Sequence, residues 1–359
     1  MTGRRVARFY FVAAALTAVF VLPVTARAGL IFNLNSTGNA NADAGFLAAA
    51  NFWASTFSDD VEVNLNVGFS SLGGGILGQA GSARQTFSYT SFRNAVAGDV
   101  SSAADATFAS SLPGGSSFDV YINRTTEASG TGGETPYVDD DGGANNTTVR
   151  MTTANAKALG LRAADDAGQD AAITFNSDFS WDFDPSDGVG AGLQDFVGVA
   201  IHEIGHAIGF ISGVDILDGN GGGNFNDDQF TFVAPLDFAR FSDDSEAAGA
   251  DIDWTADNRD KYYSLDGGAT KGAPGNSHWS EGRNFGDGRQ ASHWKDNLGL
   301  GIMDPTARGA GQVNIVTALD IEALDIAGWD TFTPVPEPSA FVVLGLATAG
   351  IVWRRRRRN

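Results

Sequence analysis

His202-Glu203-Ile204-Gly205-His206 sets two imidazoles four residues apart, with a carboxylate beside the first. On a helix, residues at that spacing share one face. His202 and His206 can therefore aim ring nitrogens at one point, as two ligands of a zinc ion do. Glu203 is then placed to take a proton from a water held at the metal. The chain has four His in all, at 202, 206, 278 and 293, so chance rarely produces the pattern. The bland alternative is a buried helix whose imidazoles bond only to neighbouring groups. It leaves two His and a Glu to find every polar partner inside an apolar setting.

Two imidazoles do not complete such a site. A catalytic zinc usually has three protein ligands and an open fourth position. His293, His278 and a carboxylate such as Asp215 are the candidates for the third.

The flanks of the motif must build the helix that carries it. From Leu193 to Gly213, apolar residues fall at Phe196, Val197, Ala200, Ile201, Ile204, Ala207 and Ile208. That stripe has helical period and is wide enough for the helix to lie inside the protein. Gly209 and Gly213 offer places to stop and turn. Upstream, Leu30–Asn35 reads as a strand, Ala42–Phe57 as an amphipathic helix and Val61–Val67 as an alternating strand. Thr90–Ser110 reads as helix, Phe118–Ile122 as strand, 128–149 as loop, Ala154–Leu161 as a short helix and Ala172–Phe179 as a strand. Downstream, Leu236–Phe241 is apolar structure, 264–290 is glycine-rich loop and Val313–Trp329 is a terminal helix that packs through Ile315, Leu319, Ile321, Leu324 and Ile326. This order is α+β, with no internal repeats. The Asp215–Asp228 stretch is rich in Asp, Asn and Gly; it could hold calcium, and a surface loop is the plainer reading.

The two ends differ from the body. Arg4, Arg5 and Arg8, the apolar run Phe9–Val24 and Ala26-Arg27-Ala28 have the layout of a signal peptide cut after Ala28. Val335-Pro336-Glu337-Pro338-Ser339, the apolar run Ala340–Trp353 and Arg354–Arg358 close the chain. A short hydrophobic segment with a basic stop is one reading of that tail. Removing both ends takes away nine arginines and Glu337. That leaves 14 basic and 42 acidic residues, a net charge of −28. Such a body will not seek nucleic acid or anionic lipid. Without cysteine, stability rests on the core and on bound metal rather than on disulfides.

Two resemblances follow. The tail resembles a PEP-CTERM sorting signal over residues 334–359. It implies export from a Gram-negative bacterium, only transient membrane residence and processing by an exosortase, with the product released or held in the extracellular matrix. The helix resembles that of the metzincin zinc proteases. Their compact pattern would put the third His at Ser212, after His206 and Gly209. Ser292-His293-Trp294, followed ten residues after the His by Met303 in Gly301-Ile302-Met303-Asp304-Pro305, resembles the leishmanolysin-like arrangement instead. There an insertion separates the helix from a His-Trp pair and a Met-turn.

This resemblance implies His293 as third zinc ligand, with His278-Trp279 the competing pair, Met303 an apolar floor and Gly209 a supporting residue. It implies a zincin-like α+β fold for residues 29–333. An N-terminal lobe (29–212), with mixed sheet, helices and the active-site helix, would precede a smaller irregular lobe (213–333) ending in a helix. The implied activity is a zinc endopeptidase acting on protein or peptide, with Glu203 as general base. A tyrosine found after the Met-turn in some relatives is missing; Tyr262 or Tyr263 would have to approach the site in its place. The rival from another class is a matrix or surface protein that keeps the fold for binding alone.

Overall fold

The computed structural model describes residues 29–130, 132–272 and 278–332. Both terminal segments read above, the signal peptide and the sorting tail, lie outside the described residues.

A four-stranded sheet organises the N-terminal part. Its order is Ile31–Leu34, Glu62–Ser70, Ala171–Asn176, Gly78–Ser82. The first three strands are parallel, in a register that sets Leu65 opposite Ala171 and Phe69 opposite Phe175. The edge strand Gly78–Ser82 runs antiparallel, with Gly78 opposite Phe175 and Ser82 opposite Ala171. The first parallel pair needs a crossover, which the helix Ala40–Thr56 supplies. Strand Glu62–Ser70 buries Val63, Leu65 and Val67 in alternation, the period that its sequence displays.

The helix carrying the histidines, Phe196–Ile208, packs on Ala40–Thr56. Gly45 makes the close approach: a Cβ there would lie 2.4 Å from the ring of Phe196. Phe196 meets Phe46 edge-on at 5.1 Å and Phe175 at 4.7 Å. Trp53 donates its indole N–H to the carbonyl of Ile201 at 3.0 Å. The central helix is thus fixed to both the sheet and the first helix.

Several expectations need correction. Thr90–Ser110 is two helices, Tyr89–Gly98 and Ala103–Ser111, because Ser102 caps the second by accepting the N–H of Asp105. Residues 128–149 contain a strand, Tyr137–Asp139, and a helical turn, Ala144–Thr147. The Asp215–Asp228 stretch opens with helix, Val214–Asn220. The terminal helix spans only Ala318–Ile326, since Thr317 is its N-cap. Ile315 precedes that cap and is 47 % exposed, so it does not pack as expected. Strands Gly78–Ser82, Arg84–Ser88 and Thr148–Thr152 have no counterpart in the sequence reading. The two halves are interlocked, for Ile252–Asp253 adds to Val120–Ile122 in a shared three-stranded sheet.

One ionic contact sits deep in this frame. The Lys157 ammonium donates to Asp170 at 2.7 Å and to the carbonyls of Glu62 and Asp166, each at 2.8 Å. All three of its hydrogens are used, and both side chains are buried. Lys157→Ala should therefore cost about 3–5 kcal/mol by leaving the Asp170 charge unpaired. Urea unfolding measures this; a loss below about 1 kcal/mol would contradict it. Asp59 behaves oppositely. Burial, and then the charge of Asp330, push its carboxyl up to about 7. The folded state thus holds this proton more tightly than the unfolded chain, so the contribution falls as pH rises from about 4 to about 7. Asp59→Asn should raise the urea midpoint at pH 8 and lose that advantage as the pH falls to about 4. An equal effect at both pH values would rule this out.

Candidate metal centre

The central helix starts where Asp195 accepts the N–H of Gly198 at 2.9 Å. It ends at Gly209, whose φ of +131° closes it in a conformation that side chains rarely adopt. Between these points His202 and His206 face one side, with ring centroids 4.7 Å apart. His293 arrives from the opposite wall, and the three imidazoles form one cluster.

Each imidazole is held by a backbone carbonyl through Nδ1. His202 bonds Ile302 O at 2.7 Å, His206 bonds Phe210 O at 2.7 Å and His293 bonds Gln290 O at 3.2 Å. A carbonyl only accepts, so each Nδ1 must carry the hydrogen. In a neutral ring the lone pair is then on Nε2. Burial first, and the neighbouring imidazoles after it, hold His206 down to about 3 and His293 well below the usual range. Burial likewise lowers His202. All three rings are neutral, and their Nε2 atoms converge: those of His202 and His293 each lie 3.1 Å from that of His206.

Three lone pairs facing one another have no hydrogen to share. A tetrahedral zinc with bonds of 2.0–2.1 Å would hold its nitrogens about 3.3 Å apart. The observed spacing and the donor set fit such an ion. Three neutral nitrogens suit zinc better than calcium or magnesium, which take oxygen.

Further interactions place His293. Asp215 accepts the N–H of Ala291 at 2.7 Å, the N–H of Ser292 at 3.3 Å and the Ser292 hydroxyl. Ser292 in turn accepts the N–H of Ser212 at 2.9 Å. Ser212 thus ties the third-histidine segment to the helix end, although it is no ligand. Asp320, fully buried, accepts Trp294 Nε1 at 2.8 Å, Ile302 N at 2.9 Å, Met303 N at 3.2 Å and Thr317 N at 2.7 Å. One carboxylate joins the His-Trp segment, the Met turn and the terminal helix. Met303 is completely buried against the central helix, and a Cβ on Gly205 would lie 2.6 Å from its sulfur. A larger residue at 205 would have to displace the end of the Met303 side chain.

Other candidates fall elsewhere. His278 is not in the cluster. It is buried, not an exposed loop residue, and its Nδ1 accepts the N–H of Tyr263 at 3.1 Å. The reason for two His-Trp pairs is structural: Trp279 and Trp294 stack on each other with centroids 4.4 Å apart. Asp215 is a clamp on the His293 segment rather than a cluster member. Tyr262 donates to Gly268 O, and Tyr263 packs against Trp279 and Trp294; neither lines the cleft. Asp218, in the stretch read for calcium, accepts backbone N–H groups of Asn284 and Phe285. Among the described residues, no second group of three or more acidic or imidazole side chains gathers as the histidines do.

The cluster lies in a cleft of about 1210 Å³. One wall is the edge strand Gly78–Ser82; the other includes Gln290, His293 and Asp304–Gly309. Glu203 lines it too, 8 % exposed, with its carboxyl pushed up to about 7 by burial.

Residues 334–357 match the model of the PEP-CTERM protein-sorting motif. The tail is a PEP-CTERM sorting signal. It implies recognition by an exosortase-type enzyme and marks an exported, surface-sorted protein of a Gram-negative bacterium. Among the described residues, no helix is long and apolar enough to cross a membrane. No curated protein and no solved structure matches the chain.

The protein should bind one zinc per chain. His293→Ala should weaken that affinity by at least 10–100-fold, while His278→Ala leaves zinc stoichiometry unchanged. Competition titration with a chromophoric chelator reads both. Equal losses in the two variants would remove His293 from its assigned place.

Proposed function

We propose that the protein is an exported zinc endopeptidase. The carrying observation is the convergence of three Nε2 lone pairs, each set by a carbonyl bond at the far side of its ring. His202, His206 and His293 would hold the ion. When bound there, zinc supplies Lewis acidity toward the scissile carbonyl and toward water.

The protein's own groups do the rest. Glu203, beside the first ligand and in the cleft, takes the proton of the attacking water and delivers it to the leaving amine. Its raised carboxyl suits both halves of that task, since neither protonation state is strongly favoured near neutral pH. The substrate lies extended along Gly78–Ser82. That strand ends the sheet order, so its outer edge is open to pairing. The sheet and helix layout supports the zincin-like reading, and the sorting tail supports action outside the cell, on the surface or in the extracellular matrix.

A binding-only matrix protein draws on the acidic composition and the tail. It has no use for a buried carboxylate at Glu203, and such a group is costly to keep without a task.

Glu203→Gln should retain zinc and lower casein or peptide hydrolysis by about 10²–10⁴-fold. Parent activity should vanish with chelator and return with zinc. Unchanged hydrolysis by the variant would end this mechanism, and a parent that never cuts would favour the binding protein.

A further inference from the structure

The charges in the cleft run against those of the chain. Four arginines line it, Arg84, Arg283, Arg289 and Arg308, with three carboxyl residues, Glu203, Asp215 and Asp304. The whole chain has 43 acidic and 23 basic residues. Basic side chains thus outnumber acidic ones along the cleft, the reverse of the chain as a whole.

Arg84 is the cation with the most specific place. It begins the strand Arg84–Ser88, directly after the edge strand along the cleft. Two residues before it, the Ser82 hydroxyl donates to the carbonyl of His206 at 3.3 Å, and Arg84 lines the cleft together with His206 and Asp215; Asp215 and Asp237 favour its charge while Arg150 opposes it. Ile211 and Ile216 line the cleft with it. Arg84 is half-buried, yet among the described residues its guanidinium makes no ion pair and no side-chain hydrogen bond. Asp215 does not neutralise it by contact, because its oxygens are taken by Ala291 and Ser292. Arg289, by contrast, is paired with Asp296 at 2.9 Å, while Arg283 and Arg308 are exposed. A half-buried guanidinium that lines the cleft with its nitrogens free of protein partners can receive an incoming carboxylate, and its planar fork suits one bidentately.

Building on the peptidase reading, we propose that Arg84 is a specificity residue: the pocket beside His206 takes an Asp or Glu side chain of the substrate. The open edge strand lets the peptide run past the site, which favours an internal acidic side chain over a chain terminus.

The test uses the exported chain loaded with zinc and acetylated, amidated peptides. Asp, Glu, Leu or Lys is placed in turn at each position flanking the scissile bond. At one position, Asp or Glu should raise kcat/KM over Leu and Lys by on the order of 10–100-fold. Arg84→Leu should flatten the preference with zinc stoichiometry unchanged, and Arg84→Glu should turn it toward Lys. A second arm measures fluorescence anisotropy of the same peptides on Glu203→Gln protein, where acidic peptides should bind more tightly only if Arg84 is present. Cleavage without acid preference, or preference indifferent to Arg84, overturns this inference and leaves the peptidase standing. A preference that needs a free C-terminal carboxylate overturns the side-chain assignment. If no peptide is cut, the peptidase reading fails, and equal anisotropy for acidic and neutral peptides then removes the Arg84 site as well.

Discussion

Three backbone carbonyls, those of Ile302, Phe210 and Gln290, determine the character of the cleft. Each forces the hydrogen of an imidazole onto Nδ1 and so leaves Nε2 bare. Without that constraint the three rings could satisfy one another by alternating donor and acceptor nitrogens. With it they face inward as three acceptors, an arrangement that a cation at their centre would stabilise. The carbonyls come from three different places: the Met turn, the loop just after the central helix, and the turn before His293. The geometry of the cluster is therefore a property of the whole tertiary structure.

Much of the molecule can be understood as the apparatus that keeps those carbonyls and rings in register. Gly45 and Gly205 allow close approach, one against Phe196 and the other against Met303. Asp237 is buried and accepts Ser212 Oγ, Gly213 N, Ala234 N and Trp254 Nε1, which fixes the turn after the helix. Asp215 and Asp320 do the same for the segments bearing His293 and Met303. Each buried carboxylate is surrounded by donors, so it acts as a knot for loops that have little regular structure of their own. In a chain without cysteine such knots take the part that disulfides take in many exported proteins.

The sequence made the central helix legible because its signal is local: a spacing of four and an apolar stripe. The strand alternation at Val63, Leu65 and Val67 was legible for the same reason. His293 was legible only through the resemblance of its segment, since 87 residues separate it from His206. The edge strand was not legible. Gly78-Gln79-Ala80-Gly81-Ser82 has neither alternation nor β-branched residues, and antiparallel pairing with the strand Ala171–Asn176 alone makes it a strand. The acidic knots were hidden too. Asp215 was weighed as a ligand, and Asp237 and Asp320 carried no motif; their partners come from distant loops. Arg84 has no local signature at all, and only the fold sets it beside His206.

X-ray absorption at the zinc edge of the metal-loaded protein reads the ligands of the cluster. A first shell of light atoms near 2.0–2.1 Å with the multiple-scattering pattern of three imidazoles is expected, one of which is lost in His293→Ala. An all-oxygen shell, or an imidazole signal untouched by that substitution, would contradict the three-histidine site.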